Sequence, residues 1–590
     1  MRPEARVHTL SKSSGSSSSA GLTKAHSQAR LEAPARQLRA VVVIPARDEA
    51  QRIGACLRSL ADQDGVPREH YELIVVLDGC RDETYERVIE LVSEEPTLRL
   101  HAIVLAESEG VGRARRSGMD LACARLLELG RSDGLIASTD ADSVVAPDWL
   151  SAQLALAQSG AEAIGGFIEL HSEELEAVGA EALREREERA AQRLRAVLAL
   201  EDRLTPAEHH QFSGASLALT AATYERCGGL PVRAALEDEA LEQELRARGV
   251  AIHRSRQVRV STSARTSGRA PRGLAQDLAR ANWRARRSYA SGEFPLGRLL
   301  EVKRDSIALV LPAREVATSI GAIAAHAARL REVGLLDEVL VVDARSRDGS
   351  ARIAAQAGLR VVQEDELSSE LGPARGKGDA MWRALRATSS DIVAYADTDT
   401  EEFAEHFLTG LLGPLICEPG VQLVKGFFRR PFRSEGALAP HGGGRVTELM
   451  ARPLLNLHAP ELAVFDQPLA GETAGRRELL ERIPFSAGYG VEIAMLIDAW
   501  QAVGLDGLAQ VDLGVRQNRH QSLRELSAMS YAVLVAAQSR FLGPDFADAN
   551  ACGSISLPTG QSGEAMEARR VTVEERPALA DLRAAAGTVA

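Results

Sequence analysis

Two short acidic motifs and one glycine-rich stretch carry the chemistry this sequence offers. Asp140-Ala141-Asp142 and Asp397-Thr398-Asp399 each end an apolar run of strand character. Two carboxylates spaced this way share one strand-end loop. Such hard oxygen ligands suit Mg2+ or Mn2+, with phosphate oxygens among the remaining ligands. A metal so held offsets the charge that builds on a departing diphosphate. A solvated acidic loop is the competing reading of one pair; two pairs at equivalent places favour the diphosphate. The third feature runs from Gly442 to Leu449, three glycines followed by Arg445, Val446 and Thr447 and then an apolar run. Successive backbone N–H groups, a cation and a hydroxyl before a helix build an anion pocket. A flexible turn is the alternative for the glycines alone.

The elements that must hold these motifs alternate. A Val/Ile run from Arg39 leads into Pro45-Ala46-Arg47-Asp48-Glu49 and an amphipathic helix. A second strand ends at Asp78, a third follows near His101, and a glycine-containing loop then opens a helix before the strand that ends at Asp140. Buried parallel strands read as such continuous apolar runs, and alternating strands and helices give an α/β domain that binds ligands at its strand ends. The order then repeats. Residues 307–317 echo the first strand and its exit loop, the segment ending at Asp348 echoes the one ending at Asp82, the loop around Lys377 takes the place of the loop around Gly112, and Asp397-Thr398-Asp399 matches the first acidic pair. The expectation is two tandem α/β domains with mostly parallel sheets, over 38–290 and 300–590. The boundary is expected near residues 285–300, where Gly and Pro interrupt the pattern.

Composition narrows the class. At 590 residues the chain exceeds one ordinary domain, and its 45% hydrophobic and 26% charged residues are those of a globular protein. A net charge of -12 argues against a nucleic-acid surface. Six scattered cysteines form no C-x-x-C or zinc spacing, which points to a reducing compartment and a cytoplasmic location. No apolar run is long enough to span a bilayer. Residues 1–37, rich in Ser and basic residues without an apolar core, read as a disordered tail.

With these motifs in place, both halves resemble glycosyltransferases of the GT-A fold, Rossmann-like domains that use nucleotide-sugar donors. The resemblance implies that Pro45, Asp48, Glu49 and Asp78 hold the donor nucleoside in the first half, with Asp140 on the donor and Asp142 on the metal. The first half further resembles the large inverting family. Its segment Phe212–Leu219 looks like the one that shapes the acceptor side, and Glu237-Asp238 like that family's Glu-Asp motif. An inverting displacement needs a base to take the acceptor's proton, and Asp238 is the candidate; a stabilising acid at a helix start is the alternative. The Arg- and Ser-rich stretch 259–275 reads equally as a phosphate site or a solvated loop.

The second half resembles glucosyl-3-phosphoglycerate synthase through long segments: GKGDAMWRAL, VQLVKGFFRRPF, GGGRVTELMARPLL, QPLAGETAGRRELL, PFSAGYGVEIAMLID, QVDLGVRQNRHQSL and the late ARRVTVEERPAL. That family transfers glucose from UDP-glucose to 3-phosphoglycerate with retention. The resemblance implies Pro312, Ala313, Lys377, Asp397 and Thr398 on the donor and Asp399 on Mg2+ or Mn2+. It implies Gly444, Arg445, Val446 and Thr447 on the anionic acceptor, with Glu492 orienting acceptor and sugar. The chain departs from the family's Pro-Ala-Leu-Asn-Glu at Arg314, Glu315 and Val316, the last standing where the family has Glu, and at Asn518, where the family has a metal-binding His. Asn518 then serves the metal as a carbonyl ligand, or His520, two residues on, takes the metal; His520 also stands as an acceptor contact. The overall reading is a two-domain hexosyltransferase whose first domain has an unknown acceptor, with a homodimer as an allowed assembly. The rival readings are a mannosyl donor, a non-catalytic second half supporting an active first half, and a nucleotidyltransferase, which would want a Gly-rich, basic first loop.

Overall fold

The computed structural model describes residues 6–9, 32–200, 207–233, 235–266, 268, 273–400, 402–430, 432–434, 437–439, 444–516, 522–558 and 566–587. The chain divides into two compact units, Met1–Asn282 and Trp283–Ala590. The division lies upstream of the 285–300 stretch named from sequence. The reason is that Ser288–Ala290 pairs with a strand of the second unit, and that Trp283 is buried in the second unit's core, its indole N–H donating to the carbonyls of Leu505 and Leu508.

In the first unit the strands are β1 (Ala40–Ala46), β2 (Tyr71–Asp78) and β3 (Leu100–Leu105), then helix α1 (Val111–Glu128) and β4 (Leu135–Ser138). β5 (Ala163–Leu170) leads to α2 (Ala180–Leu200), β6 (Leu217–Thr220), α3 (Glu237–Ala247) and β7 (Ile252–Thr262). Their order in the sheet is β3-β2-β1-β4-β6-β5-β7, with Arg6–Thr9 and Ser143–Val145 at the two edges. The second unit runs through β8 (Ile307–Ala313), β9 (Glu338–Asp343), β10 (Arg360–Gln363), α4 (Lys377–Ala387) and β11 (Ile392–Tyr395). It continues with β12 (Leu423–Arg429), β13 (Thr473–Arg476), α5 (Val491–Val503) and β14 (Leu508–Val515). The order β10-β9-β8-β11-β13-β12-β14 is the same arrangement.

The repeat therefore extends from motif to topology. The four leading strands of each unit are parallel, and β6 and β13 run antiparallel to both neighbours, so each sheet is mixed. β1 and β2 are buried along their whole length, because helices cover both faces. The exit loops repeat down to single hydrogen bonds. Asp82 accepts from Ala50 N at 3.1 Å and Asp348 from Ala317 N at 2.8 Å. Asp48 and Glu315 both take positive φ, 51° and 53°, a strained setting for a non-glycine residue that such sites tolerate. No helix among the described residues is long and apolar enough to cross a membrane.

The first turn of α4 is locked from two sides. Buried Asp379 binds Arg383 and, from near the C-terminus, Arg576 through both carboxylate oxygens at 2.7 and 2.9 Å. Gly378 lies so near Ser486 and Val491 that a Cβ there would overlap the Ser486 carbonyl oxygen. Gly378→Ala is expected to lower the stability of the second unit by about 1–3 kcal/mol, read as a lower denaturant midpoint with an unchanged slope; an unchanged midpoint would refute the close approach.

Candidate functional site

In the second unit three distant segments meet at one ammonium. Lys377, the first residue of α4, lies 2.5 Å from Asp397 Oδ1 and 2.7 Å from Glu492 Oε1. Asp397 follows β11, and Glu492 is the second residue of α5, so a strand end and two helix starts converge here. Burial works against charge on Lys377, but the two carboxylates outweigh it and hold the ammonium well above the ordinary lysine range. Asp397 is likewise penalised by burial, yet Lys377 and Arg516 hold it far below the usual carboxylate range.

Arg516 closes the other side. One of its guanidinium nitrogens, Nη2, lies 3.3 Å from Asp397 Oδ2 and 2.7 Å from Asp399 Oδ1, while Nη1 binds Glu472. The two aspartates thus share one guanidinium nitrogen, which brings an oxygen of each to the same point. The backbone at Gly471 leaves no room for a Cβ against Asp397. The aspartate pair fits a divalent ion, and among the described residues no third His, Cys, Asp or Glu completes a metal cluster. Asn518 and His520 lie outside the described residues, as do Gly442 and Gly443.

The remaining expected contacts are placed as follows. Thr398 is buried, and its hydroxyl donates to Pro312 O at 2.6 Å while its own carbonyl accepts from Ser319 Oγ; its side chain braces the end of β8. Ala313 closes β8, and its carbonyl accepts from Ala344 N. Val316 is buried at the site occupied in the first unit by Glu49. Gly444 has φ 76°, a setting that favours glycine. Val446 and Thr447 are buried behind it, and Arg445 is half-buried. Thr447–Ala451 forms a π-helical turn rather than the plain helix start expected from sequence, a deviation often found at functional sites.

The first unit solves the same electrostatic problem with arginines. Buried Arg115, on α1, binds Asp140 Oδ1 at 2.8 Å, Glu237 Oε1 at 3.1 Å, Ser138 Oγ at 2.7 Å and Gly214 O at 3.0 Å. Arg265 lies 2.8 Å from both Glu49 Oε1 and Asp142 Oδ2. Burial and the neighbouring Asp140 push Asp142 up to about 6 despite Arg265. Asp238 is the second residue of α3, the place Glu492 has on α5, and accepts from Gly214 N at 3.0 Å. Asp48 accepts from Arg81 N, and Pro45 lies within β1. Asp78 is fully engaged by its own unit, accepting from Ser108 Oγ, Glu109 N and Gly110 N. At the start of α1, Val111 stands where α4 has Lys377.

Sequence reasoning did not single out Arg516, Glu472, Lys425 or Arg115, and it left Arg265 inside an undecided basic loop. Lys425 is the clearest missed signal, a lysine within an apolar strand. It is 1% exposed and donates to Ala470 O at 2.5 Å. Burial pulls it down to about 8, against an ordinary value of about 10.4. Between those values the unfolded chain binds the proton that the folded chain has released, so this group makes stability rise with pH. Relative to Lys425→Met, the parent is expected to gain up to about 3 kcal/mol between pH 8 and 10.4; parallel unfolding curves for the two chains across that window would refute the burial of a charged Lys425.

The profile of Glycosyl transferase family 2 matches residues 41–199 and 312–480. Glucosyl-3-phosphoglycerate synthase of Mycolicibacterium smegmatis is 46% identical over 235 residues, covering 40% of this chain and 77% of that protein. The synthase of the same name from Petrotoga mobilis is 40% identical over 252 residues, covering 42% of this chain and 78% of that one. Among solved structures, mannosyl-3-phosphoglycerate synthase from Rubrobacter xylanophilus is 44% identical and covers 51% of this chain and 99% of its own, with a TM-score of 0.46.

Proposed function

We propose that this chain, which belongs to Glycosyl transferase family 2, transfers glucose from UDP-glucose to 3-phosphoglycerate in its second unit, with retention at the sugar carbon. The observation that carries this reading is the single ammonium of Lys377 shared by Asp397 and Glu492 at a set of strand and helix ends. Two of the relatives named above are glucosyl-3-phosphoglycerate synthases, a name that gives the product of this transfer.

Each residue then has a part. Lys377 gives the donor diphosphate a charge-assisted hydrogen bond. Asp397 and Asp399 hold a divalent ion, Mg2+ or Mn2+, which when bound neutralises charge on the departing diphosphate. Arg445, Thr447 and the backbone at Gly444 hold the acceptor's anionic groups. Glu492, fixed by Lys377, accepts a hydrogen bond from the acceptor hydroxyl or the sugar. The acceptor oxygen attacks the anomeric carbon from the face that UDP leaves, the bond to the diphosphate breaks, and the diphosphate oxygen takes the hydroxyl proton. Among the described residues the site's carboxylates Asp397, Asp399 and Glu492 are all tied to cations, which favours same-face transfer over a covalent nucleophile. The first unit is a second, inverting glycosyltransferase with Asp238 as its base.

Purified chain given UDP-glucose, 3-phosphoglycerate and Mg2+ is expected to release UDP only when both substrates are present. Asp397→Ala/Asp399→Ala should cut that rate at least about 100-fold, and Asp140→Ala/Asp142→Ala should leave it within a few-fold. No acceptor-dependent release from the parent, or loss only through the Asp140/Asp142 variant, would defeat the assignment to the second unit.

A further inference from the structure

The late segment ARRVTVEERPAL, residues 568–579, has no part in the chemistry above, yet it is built into the second unit. Glu575–Arg576 pairs antiparallel with Phe485–Ser486. Ala487 N donates to Glu574 O at 2.8 Å. The backbone at Gly488 passes so close that a Cβ there would lie 2.6 Å from Thr572 O. Val571 and Leu579 are both buried. The short strand that this segment covers leads, within a few residues, into α5 and Glu492.

Successive residues of a strand point to opposite sides, and the two here reach different helices. Arg576, 7% exposed, binds both oxygens of Asp379 at 2.7 and 2.9 Å, in the first turn of α4 two residues after Lys377. Asp379 is fully buried and also accepts from Arg375 N at 2.9 Å, while its own N–H donates to Ala487 O at 3.1 Å. The turn that carries Lys377 thus closes against the strand that the late segment covers. Trp382, one turn along α4, donates its indole N–H to Pro577 O at 2.9 Å. Glu575 accepts from Arg540 Nη1 at 2.7 Å, and the same guanidinium donates to both oxygens of Asp498 on α5, each at 2.7 Å. One strand therefore holds α4 by Arg576 and α5 by way of Arg540. These are the helices whose first turns supply Lys377 and Glu492, 2.7 Å apart. A lysine on four flexible methylenes keeps one position more readily when the backbone beneath it is fixed.

We infer that residues 571–579 form a positioning strap, in which Arg576 and Glu575 set Lys377 and Glu492 at the separation the transfer needs. Arg576 and Glu575 are positioning residues, acting only through Lys377 and Glu492. The inference rests on the second unit being the glucosyltransferase proposed above. None of the strap's hydrogen bonds named here involves Gly444–Thr447, so its loss should fall on the donor side.

Full chains carrying Asp140→Ala/Asp142→Ala, so that the first unit adds no UDP site, serve as the parent. Arg477→Met is the control: Arg477 pins the other end of α4 through Ser390 O, Leu385 O and Thr388 Oγ1. Arg576→Ala is expected to lower kcat for UDP release at least about tenfold and to weaken UDP binding, by calorimetry with Mn2+, at least about fivefold, while the KM for 3-phosphoglycerate stays within about threefold. Arg477→Met should lower the denaturant midpoint yet keep all three within about threefold. Millimolar guanidinium, filling the gap beside Asp379, is expected to raise the kcat of Arg576→Ala at least about threefold and that of Arg477→Met not at all. Glu575→Gln, at a side chain 39% exposed, serves where Arg576→Ala does not fold, and should lower kcat at least about threefold. Strap variants that keep the parent's kcat and UDP affinity, or that weaken UDP and 3-phosphoglycerate alike, would overturn the inference. A parent that releases no UDP defeats the functional reading instead; UDP affinity then still tests the strap, and Arg576→Ala binding UDP as the parent does would overturn it.

Discussion

A cation clasped between the first aspartate of an acidic pair and an acid at a helix start is the constraint on which each unit depends. In the second unit it is Lys377, between Asp397 and Glu492; in the first it is Arg115, between Asp140 and Glu237. Carboxylates partly withdrawn from water are held in charged form by such a partner. The cation therefore sets where the strand end, the following helix and the connecting loops come to rest. It also sets which charges a substrate meets there. The packing around it follows: Gly378 and Gly471 have no side chain because nothing larger fits beside Ser486 and Asp397, and Asp379 ties the same helix start to Arg576.

The two units keep this constraint while changing its chemistry. Lys377 lies at the first residue of α4 with a mobile, multi-donor ammonium that can turn toward an incoming diphosphate. In the first unit Val111 holds that place, and the cation comes from Arg115 one turn further along α1, where it donates to Glu237, Ser138, Gly214 O and Asp140. Arg265, joined to Glu49 and Asp142, is a second cation at the first unit's acidic pair. Val316 cannot form that pair in the second unit, where Arg516 bridges both aspartates instead. One topology thus holds two electrostatic arrangements, consistent with function residing in the site rather than the fold.

The tandem α/β architecture was legible because each unit repeats apolar strand runs and strand-end acids in the same order. Asp397, Lys377 and Glu492 were legible as charged residues at strand and helix ends. The antiparallel strands β6 and β13 were not, since a short buried run has the same pattern in either direction. Arg115, Arg516 and Glu472 escaped notice because the partner of a buried charge lies far away in sequence: 119 residues separate Arg516 from Asp397. The boundary moved because Trp283 and Ser288–Ala290 belong to the second unit through contacts that no local break in pattern announces.

The central claim is that the second unit's charge cluster joins a sugar to an anionic hydroxy acid with the donor's configuration kept. Proton NMR of the product made by the full chain from UDP-glucose, 3-phosphoglycerate and Mn2+ addresses it directly. The account predicts a new anomeric doublet with the small coupling of an α-glucoside, together with a shift of the glycerate C2 proton, and neither signal from a chain carrying Lys377→Met. A β-glucoside doublet, a product formed undiminished by the Lys377→Met chain, or a spectrum in which both substrates persist unchanged would contradict it.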